Sequence, residues 1–454
     1  MLFKSHGMNE ETMLKGKKAA FLTLGCKLNF AETATFSDLL LREGVERAKE
    51  GENADICVVN TCSVTETSDH KCRQAIHKIV RENPGAFVIV TGCYAQLSAA
   101  KIAAIEGVDV VLGMEYKGEL LKYIKEKHPI HLQKQQSLHE AYSVPLKEIR
   151  SFVPSCSCGE RTRYFLKVQD GCNYFCTYCT IPYARGFSRN PSIDSLVEQA
   201  SKVAAAGGKE IVITGVNIGD FGRSTGETFY DLVRALDEVE GIERYRISSI
   251  EPNLLTPQII DFCAHSRAFM PHFHIPLQSG SDEVLRLMHR RYDTAFFAER
   301  IAYIRKVIPD AFIGVDVIVG TRGETDSLFE ESLAFGKDIE VSQYHVFSYS
   351  ERPGTSALHI PFIVGEQEKH RRSNLFIALS EEKRKDFYRR FIGTTRSVLT
   401  EHSSEGMPAR GFTDNYIRVE IPELEGGLKD NSLLRVELGG FNHDCSALIA
   451  KPVC

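Results

Sequence analysis

Three short apolar runs near the start of the chain each finish on a cysteine: LTLGC at Cys26, VVNTC at Cys62 and IVTGC at Cys93. Val- and Ile-rich runs of this length, bounded by small or polar residues, form strands buried on both faces. They fall at Ala19 to Leu24, Ile56 to Asn60, Phe87 to Val90 and Val108 to Leu112, with polar helical stretches between them. That alternation predicts a parallel sheet. Open parallel sheets take ligands at the carboxyl ends of their strands, so Cys26, Cys62 and Cys93 are expected to converge on one site. Disulfides cannot satisfy three thiols, and a shared metal centre is the better fit. Cys57, inside its strand, and Cys72, in a helical stretch, read as inert buried thiols.

A second set of thiols lies in Gly171-Cys172-Asn173-Tyr174-Phe175-Cys176-Thr177-Tyr178-Cys179. Three thiolates this close hold three irons of a four-iron cluster and leave the fourth open to a substrate or cofactor. A structural zinc wants four ligands, and Cys156 and Cys158 are the only nearby residues that would close such a site. The zinc reading makes the chain an RNA-binding scaffold without enzyme activity. Thirteen cysteines, an odd number, argue for metal ligands and reduced thiols over a disulfide framework. No role is assigned to Cys156, Cys158, Cys263, Cys445 or Cys454. No apolar stretch approaches the roughly 20 residues of a membrane span, and the polar N-terminus is no secretory signal, so a cytoplasmic protein is expected. The formal charge of -5 neither advertises nor forbids nucleic-acid binding.

From Tyr164 onward strand and helix alternate again: YFLKVQD, EIVITGVNI, YRISSI, HFHIPLQ, FIGVDVIVG and QYHVFSYS predict six parallel strands in a partial β/α barrel. Asp316, inside an apolar strand, must find a partner; His272 and His274 share a face and read as hydrogen-bonding groups. Beyond about residue 392, short runs broken by Gly, Pro and Asn predict a small antiparallel β-barrel. The fold class is therefore α/β, in three domains placed at 16–145, 156–385 and 389–451.

CNYFCTYC resembles the CxxxCxxC signature of the radical S-adenosylmethionine enzymes, in which the open iron binds the amino and carboxylate groups of S-adenosylmethionine. TLGCKLNFAET, NTCSVTETSDHKCRQAI and VTGCYAQ resemble the N-terminal domain of the methylthiotransferases, whose three cysteines bind an auxiliary 4Fe-4S cluster. The resemblance implies two 4Fe-4S clusters, on Cys26, Cys62 and Cys93 and on Cys172, Cys176 and Cys179. It also implies an electron donor such as flavodoxin or ferredoxin; the sulfur source is not given. Cofactor contacts are expected from Gly207, Gly208 and Glu210 before the second barrel strand, Asn217 after it, Glu251 after the third, and Gln278 and Ser279 after the fourth. GFTDNYIRV resembles the TRAM domain, whose barrel binds RNA, and this implies contacts by Arg410, Phe412, Tyr416 and Arg418. Lys383, Arg384 and Lys385 are either further RNA contacts or a solvated helix face.

The family's reaction is transfer of a methylthio group to an adenine C2-H bond in a tRNA anticodon stem-loop. That carbon has no acidic proton and no leaving group, so a radical is needed. GCKLN and CTIPYARG resemble the branch acting on N6-threonylcarbamoyladenosine more than the N6-isopentenyladenosine branch. On that reading Arg185 pairs with the threonylcarbamoyl carboxylate; a structural contact near the cluster is the alternative. Arg189-Asn190-Pro191 replaces the more basic run expected there.

Overall fold

The computed structural model describes residues 13–134, 136–157, 162–402, 407–422 and 428–453; Cys158 and Cys454 lie outside them. The chain divides into two compact units. The first is built on the chain up to Ser157 together with Asp170–Asn173 and Cys179–Arg189; the second holds the stretch ending at Gln169, Tyr174–Tyr178 and everything from Asn190 on.

In the first unit, strands β1 (Lys18–Thr23), β2 (Glu46–Arg47), β3 (Ile56–Thr61), β4 (Phe87–Gly92), β5 (Val110–Leu112) and β6 (Glu140–Tyr142) form one parallel sheet in the order β2-β1-β3-β4-β5-β6. Every residue of β3 and β4 is buried, as their uninterrupted apolar runs require. Alternate residues feed two cores. Cys57, Val59, Val88 and Val90 pack with Ile76 and Ile79 of helix Glu66–Glu82, while Ile56, Val58, Phe87 and Ile89 pack with Phe36 and Leu40 of helix Lys27–Arg42. Each such side chain contributes about 1.5–3 kcal/mol by leaving water. The edge strands β2 and β6 carry no apolar run and escape a reading based on hydrophobicity.

In the second unit, β7 (Arg163–Lys167), β8 (Glu210–Thr214) and β9 (Arg244–Ile247) are parallel, as are β10 (His272–Gln278), β11 (Phe312–Val319) and β12 (Gln343–Ser348). Parallel bridges Tyr245 to Phe269 and Ser249 to His274 join the two sets, giving six strands in chain order. Strands β13 (Thr395–Glu401), β14 (Ala409–Thr413), β15 (Arg418–Ile421), β16 (Leu433–Phe441) and β17 (Leu448–Pro452) close a barrel in the order β13-β14-β15-β17-β16. Its pairings are antiparallel except β15 with β17, which is parallel. Among the described residues no helix is long and apolar enough to cross a membrane.

Candidate functional site

The three strand-end cysteines of the first unit lie together. A Cβ on Gly25, beside Cys26, would stand 3.0 Å from Cys62 Sγ, and Cys26 and Cys62 both act electrostatically on the Cys93 thiol. Burial pushes the Cys93 thiol up to about 12, opposed by the Arg185 guanidinium. Burial likewise raises Cys62. Cys26 is exposed and N-caps helix Lys27–Arg42. The turn into Cys93 needs a glycine: Gly92 has φ +103°, and a Cβ there would meet Thr61 O at 2.3 Å. None of the described cysteines forms a disulfide. Among the described residues no three His, Cys, Asp or Glu side chains are drawn to single-ion spacing. The donor set nevertheless fits a four-iron cluster, in which each thiolate binds a different iron and sulfur ligands are preferred.

Helix Lys27–Arg42 brings Asn29 and Glu32 onto the face that begins at Cys26, because residues three apart share a face. Asn29 Nδ2 donates to Leu24 O at 2.8 Å and Thr61 O at 3.1 Å, tying the first two cysteine loops together. Asn60 Nδ2 donates to Asn29 O at 3.1 Å. Cys72 donates to Cys62 O at 3.3 Å and is fully buried, a support for the loop.

Arg185 lies buried within this first unit. It is 1% exposed, and its guanidinium binds Cys93, Asn29, Glu32 and Asp170. The expected pairing with a substrate carboxylate is corrected: two protein carboxylates already occupy it. Glu32, Asp170 and Lys117 were missed as site residues. The three-residue spacing Cys26, Asn29, Glu32 was the available signal.

Of the second thiol set, Cys172 and Cys179 belong to the first unit and Cys176 to the second. Cys172 N–H donates to Gly186 O at 3.1 Å. Burial raises the Cys176 thiol, while Arg290, whose Nη1 is 3.2 Å from its sulfur, lowers it. Arg290 also pairs with Glu251 and donates to Tyr292 Oη at 3.0 Å. Sequence reasoning missed Arg290, which lies far from the cysteines in the chain.

At the carboxyl ends of the second unit's strands, buried polar atoms lack protein partners: Asn217 Oδ1 and Nδ2 after β8, Asn253 Oδ1 after β9, Gln278 Oε1 ending β10, Thr321 Oγ1 after β11 and Tyr349 Oη after β12. Gln278 also has φ +69°, a conformation that costs energy for a side-chain-bearing residue. A buried orphaned polar group costs about 1–3 kcal/mol unless something else binds it. Such a set of donors and acceptors fits a small polar cofactor. Val216 and Asn217 N–H groups donate to Gln169 Oε1 at 3.0 and 2.8 Å, holding the loop that presents Asn217. Ser279 is fully buried, 3.5 Å from Ser332 Oγ, and supports the turn after Gln278.

Several expected contacts lie elsewhere. Gly207, Gly208 and Glu210 sit at the amino end of β8, away from Asn217 and Gln278: Gly208 packs on Tyr164 and Val203, and Glu210 Oε1 binds Arg246 at 3.0 Å. A cofactor held at the carboxyl ends does not reach them. Phe412 and Tyr416 stack on each other at 4.8 Å; Arg163 covers Phe412, and Tyr416 lies 4.2 Å from His272. These rings dock the small barrel on the six strands and are not free platforms for bases. Lys383 donates to Lys337 O and Ile339 O, and Arg384 is buried with Glu381 and Tyr388, so both are structural. Lys385 is half-buried, Arg410 pairs with Glu420 at 3.3 Å, and Arg418 is half-buried on β15. His274 Nε2 meets Asp316 at 2.7 Å, the partner that aspartate required.

The Radical SAM superfamily matches residues 166–336, and residues 18–113 match the uncharacterized protein family UPF0004. The chain is thus a radical S-adenosylmethionine enzyme with an N-terminal extension of defined type. The threonylcarbamoyladenosine tRNA methylthiotransferase MtaB of Bacillus subtilis is 39% identical over 89% of this chain and 90% of its own. A tRNA-2-methylthio-N(6)-dimethylallyladenosine synthase of Desulfotalea psychrophila is 32% identical over 87% and 90%. The chain belongs to the radical S-adenosylmethionine tRNA methylthiotransferase family. Among solved structures, the radical S-adenosylmethionine methyltransferase TsrM from Kitasatospora setae, with cobalamin and a 4Fe-4S cluster bound, shares the fold at a TM-score of 0.53, 14% identity, and 75% and 74% of the two chains.

Proposed function

We propose that this enzyme adds a methylthio group to C2 of N6-threonylcarbamoyladenosine beside the anticodon of tRNA. The observation that carries the chemistry is the convergence of Cys26, Cys62 and Cys93 at three strand ends, in a chain that also bears the three-cysteine radical signature. The threonylcarbamoyl substrate is supported by the relatives, 39% identical to a protein named for it against 32% to one named for the dimethylallyl nucleoside. Arg185 no longer supports it.

Cys26, Cys62 and Cys93 would hold one 4Fe-4S cluster, and Cys172, Cys176 and Cys179 the other. When bound, these groups supply one-electron cleavage of S-adenosylmethionine and the sulfur that ends on the base. The protein's own part is to hold and orient. Asn217 and Gln278 offer the methionyl and ribose groups hydrogen bonds that no protein group takes. Arg290 braces Cys176 against Glu251. A small low-potential protein such as flavodoxin or ferredoxin would deliver the electron.

The test is mass spectrometry of nucleosides from total tRNA of cells lacking the protein, with and without a plasmid copy. The expected result is loss of 2-methylthio-N6-threonylcarbamoyladenosine and accumulation of its unthiolated precursor, reversed by the plasmid. Loss of the methylthio group from the isopentenyl nucleoside instead would overturn the substrate and keep the chemistry.

A further inference from the structure

Arg185 is the centre of a buried charge network in the first unit. A guanidinium offers five N–H donors in one plane, and here each has an acceptor. Nε donates to Cys93 Sγ at 3.3 Å; Nη1 to Glu32 Oε1 at 3.1 Å and Asp170 Oδ1 at 3.0 Å; Nη2 to Asn29 Oδ1 at 2.7 Å and Glu32 Oε2 at 3.4 Å. Lys117 Nζ lies 2.5 Å from Glu32 Oε1 and 3.7 Å from Asp170 Oδ2, and Arg189 Nη2 lies 3.4 Å from Asp170 Oδ2. Glu32, Asp170, Lys117 and Arg185 are essentially without solvent contact.

Three cations, Lys117, Arg185 and Arg189, meet the carboxylates of Glu32 and Asp170. The one Arg185 donor not used on a carboxylate or amide points at a cysteine sulfur. A network that served folding alone would not need that direction.

We propose that Arg185 is a positioning residue for the auxiliary cluster, donating to the Cys93 ligand sulfur and raising the cluster's reduction potential. This rests on the reading of Cys26, Cys62 and Cys93 as cluster ligands. Hydrogen bonds to ligand sulfur and nearby positive charge favour the more negative, reduced cluster. Asn29 shares the work by fixing the guanidinium plane beside the Cys26 loop.

The experiment uses the full chain with Cys172, Cys176 and Cys179 changed to Ala, so that only the auxiliary site can take up a cluster. After reconstitution with iron and sulfide, the midpoint potential is read by electron paramagnetic resonance at controlled potentials for the parent and for added Arg185→Gln or Arg185→Lys. The expected order is the parent highest, Arg185→Lys lower because it keeps the charge and loses the fork, and Arg185→Gln lowest. Equal potentials at matched iron content would overturn the proposal, even if both variants melt at lower temperature. If Arg185→Gln does not fold, Arg185→Lys alone decides, since a merely structural role leaves its potential at the parent value. A parent that takes up no four-iron cluster would overturn the ligand reading itself, and the proposal with it.

Discussion

At the scale of single residues, the same chemistry appears twice: a buried arginine donates to a cysteine sulfur, Arg185 to Cys93 and Arg290 to Cys176. The cysteines were legible because their spacing is local in sequence, or repeats at strand ends. The arginines were not, because a guanidinium reaches its partner across the fold. Arg185 stood out in the chain, yet its partners lie on helix Lys27–Arg42 and in the loop around Asp170, which only folding brings together. Asn217 yields a prediction of the opposite kind. Its side chain makes no hydrogen bond within the protein, so Asn217→Ala removes nothing that holds the fold. The expected result is a melting temperature of the cofactor-free protein that does not fall, and S-adenosylmethionine binding weakened by up to about tenfold, the worth of one good hydrogen bond. Equilibrium dialysis with the reconstituted enzyme and differential scanning fluorimetry check the two halves separately.

At the scale of elements, the apolar runs marked β3, β4 and β5, and again β7 to β11, which are buried nearly throughout as strands of a covered parallel sheet are, and also β1 and β12, which are mostly half-buried. The glycine pair before β8 misled, since glycines near a strand mark close approach without saying to what. Here Gly207, with φ +82°, ends a helical stretch and Gly208 packs on Tyr164. Helix Leu120–Lys134 carries a pH-dependent contact. His131 Nδ1 faces Asp109 Oδ1 at 2.8 Å and its Nε2 faces Gly85 O at 3.1 Å, so both nitrogens meet acceptors. The bond to Asp109 raises the His131 pKa against the effect of burial. A folded-state pKa above the unfolded one gives stability that is fully present below the unfolded value of about 6.5 and is lost as pH rises through the folded one. The melting temperature of the protein should therefore fall across that window, and His131→Gln should flatten this part of the profile.

At the scale of the molecule, the small barrel is fastened to the amino ends of the six strands. Arg244 donates to Phe412 O and Ser397 O, and Arg246 to Thr413 O and Asp414 O, while Glu210 compensates Arg246 at 3.0 Å. Arg246→Ala would strip two carbonyls of their donor and leave Glu210 buried beside a weaker partner, Arg244 at 3.8 Å. The expected cost is about 3–5 kcal/mol, as for other buried pairs that lose one member. It should show in urea denaturation and as earlier proteolytic release of the barrel. The sequence by itself determined the strand runs, the two thiol sets and the family, since these reside in local pattern and short spacing. Only the tertiary structure decided which side chains serve the site. Burial turned Arg185 from an expected RNA contact into an internal support, and ring contacts did so for the half-buried Phe412 and Tyr416, because charge and aromatic surface find their partners through contacts distant in the chain.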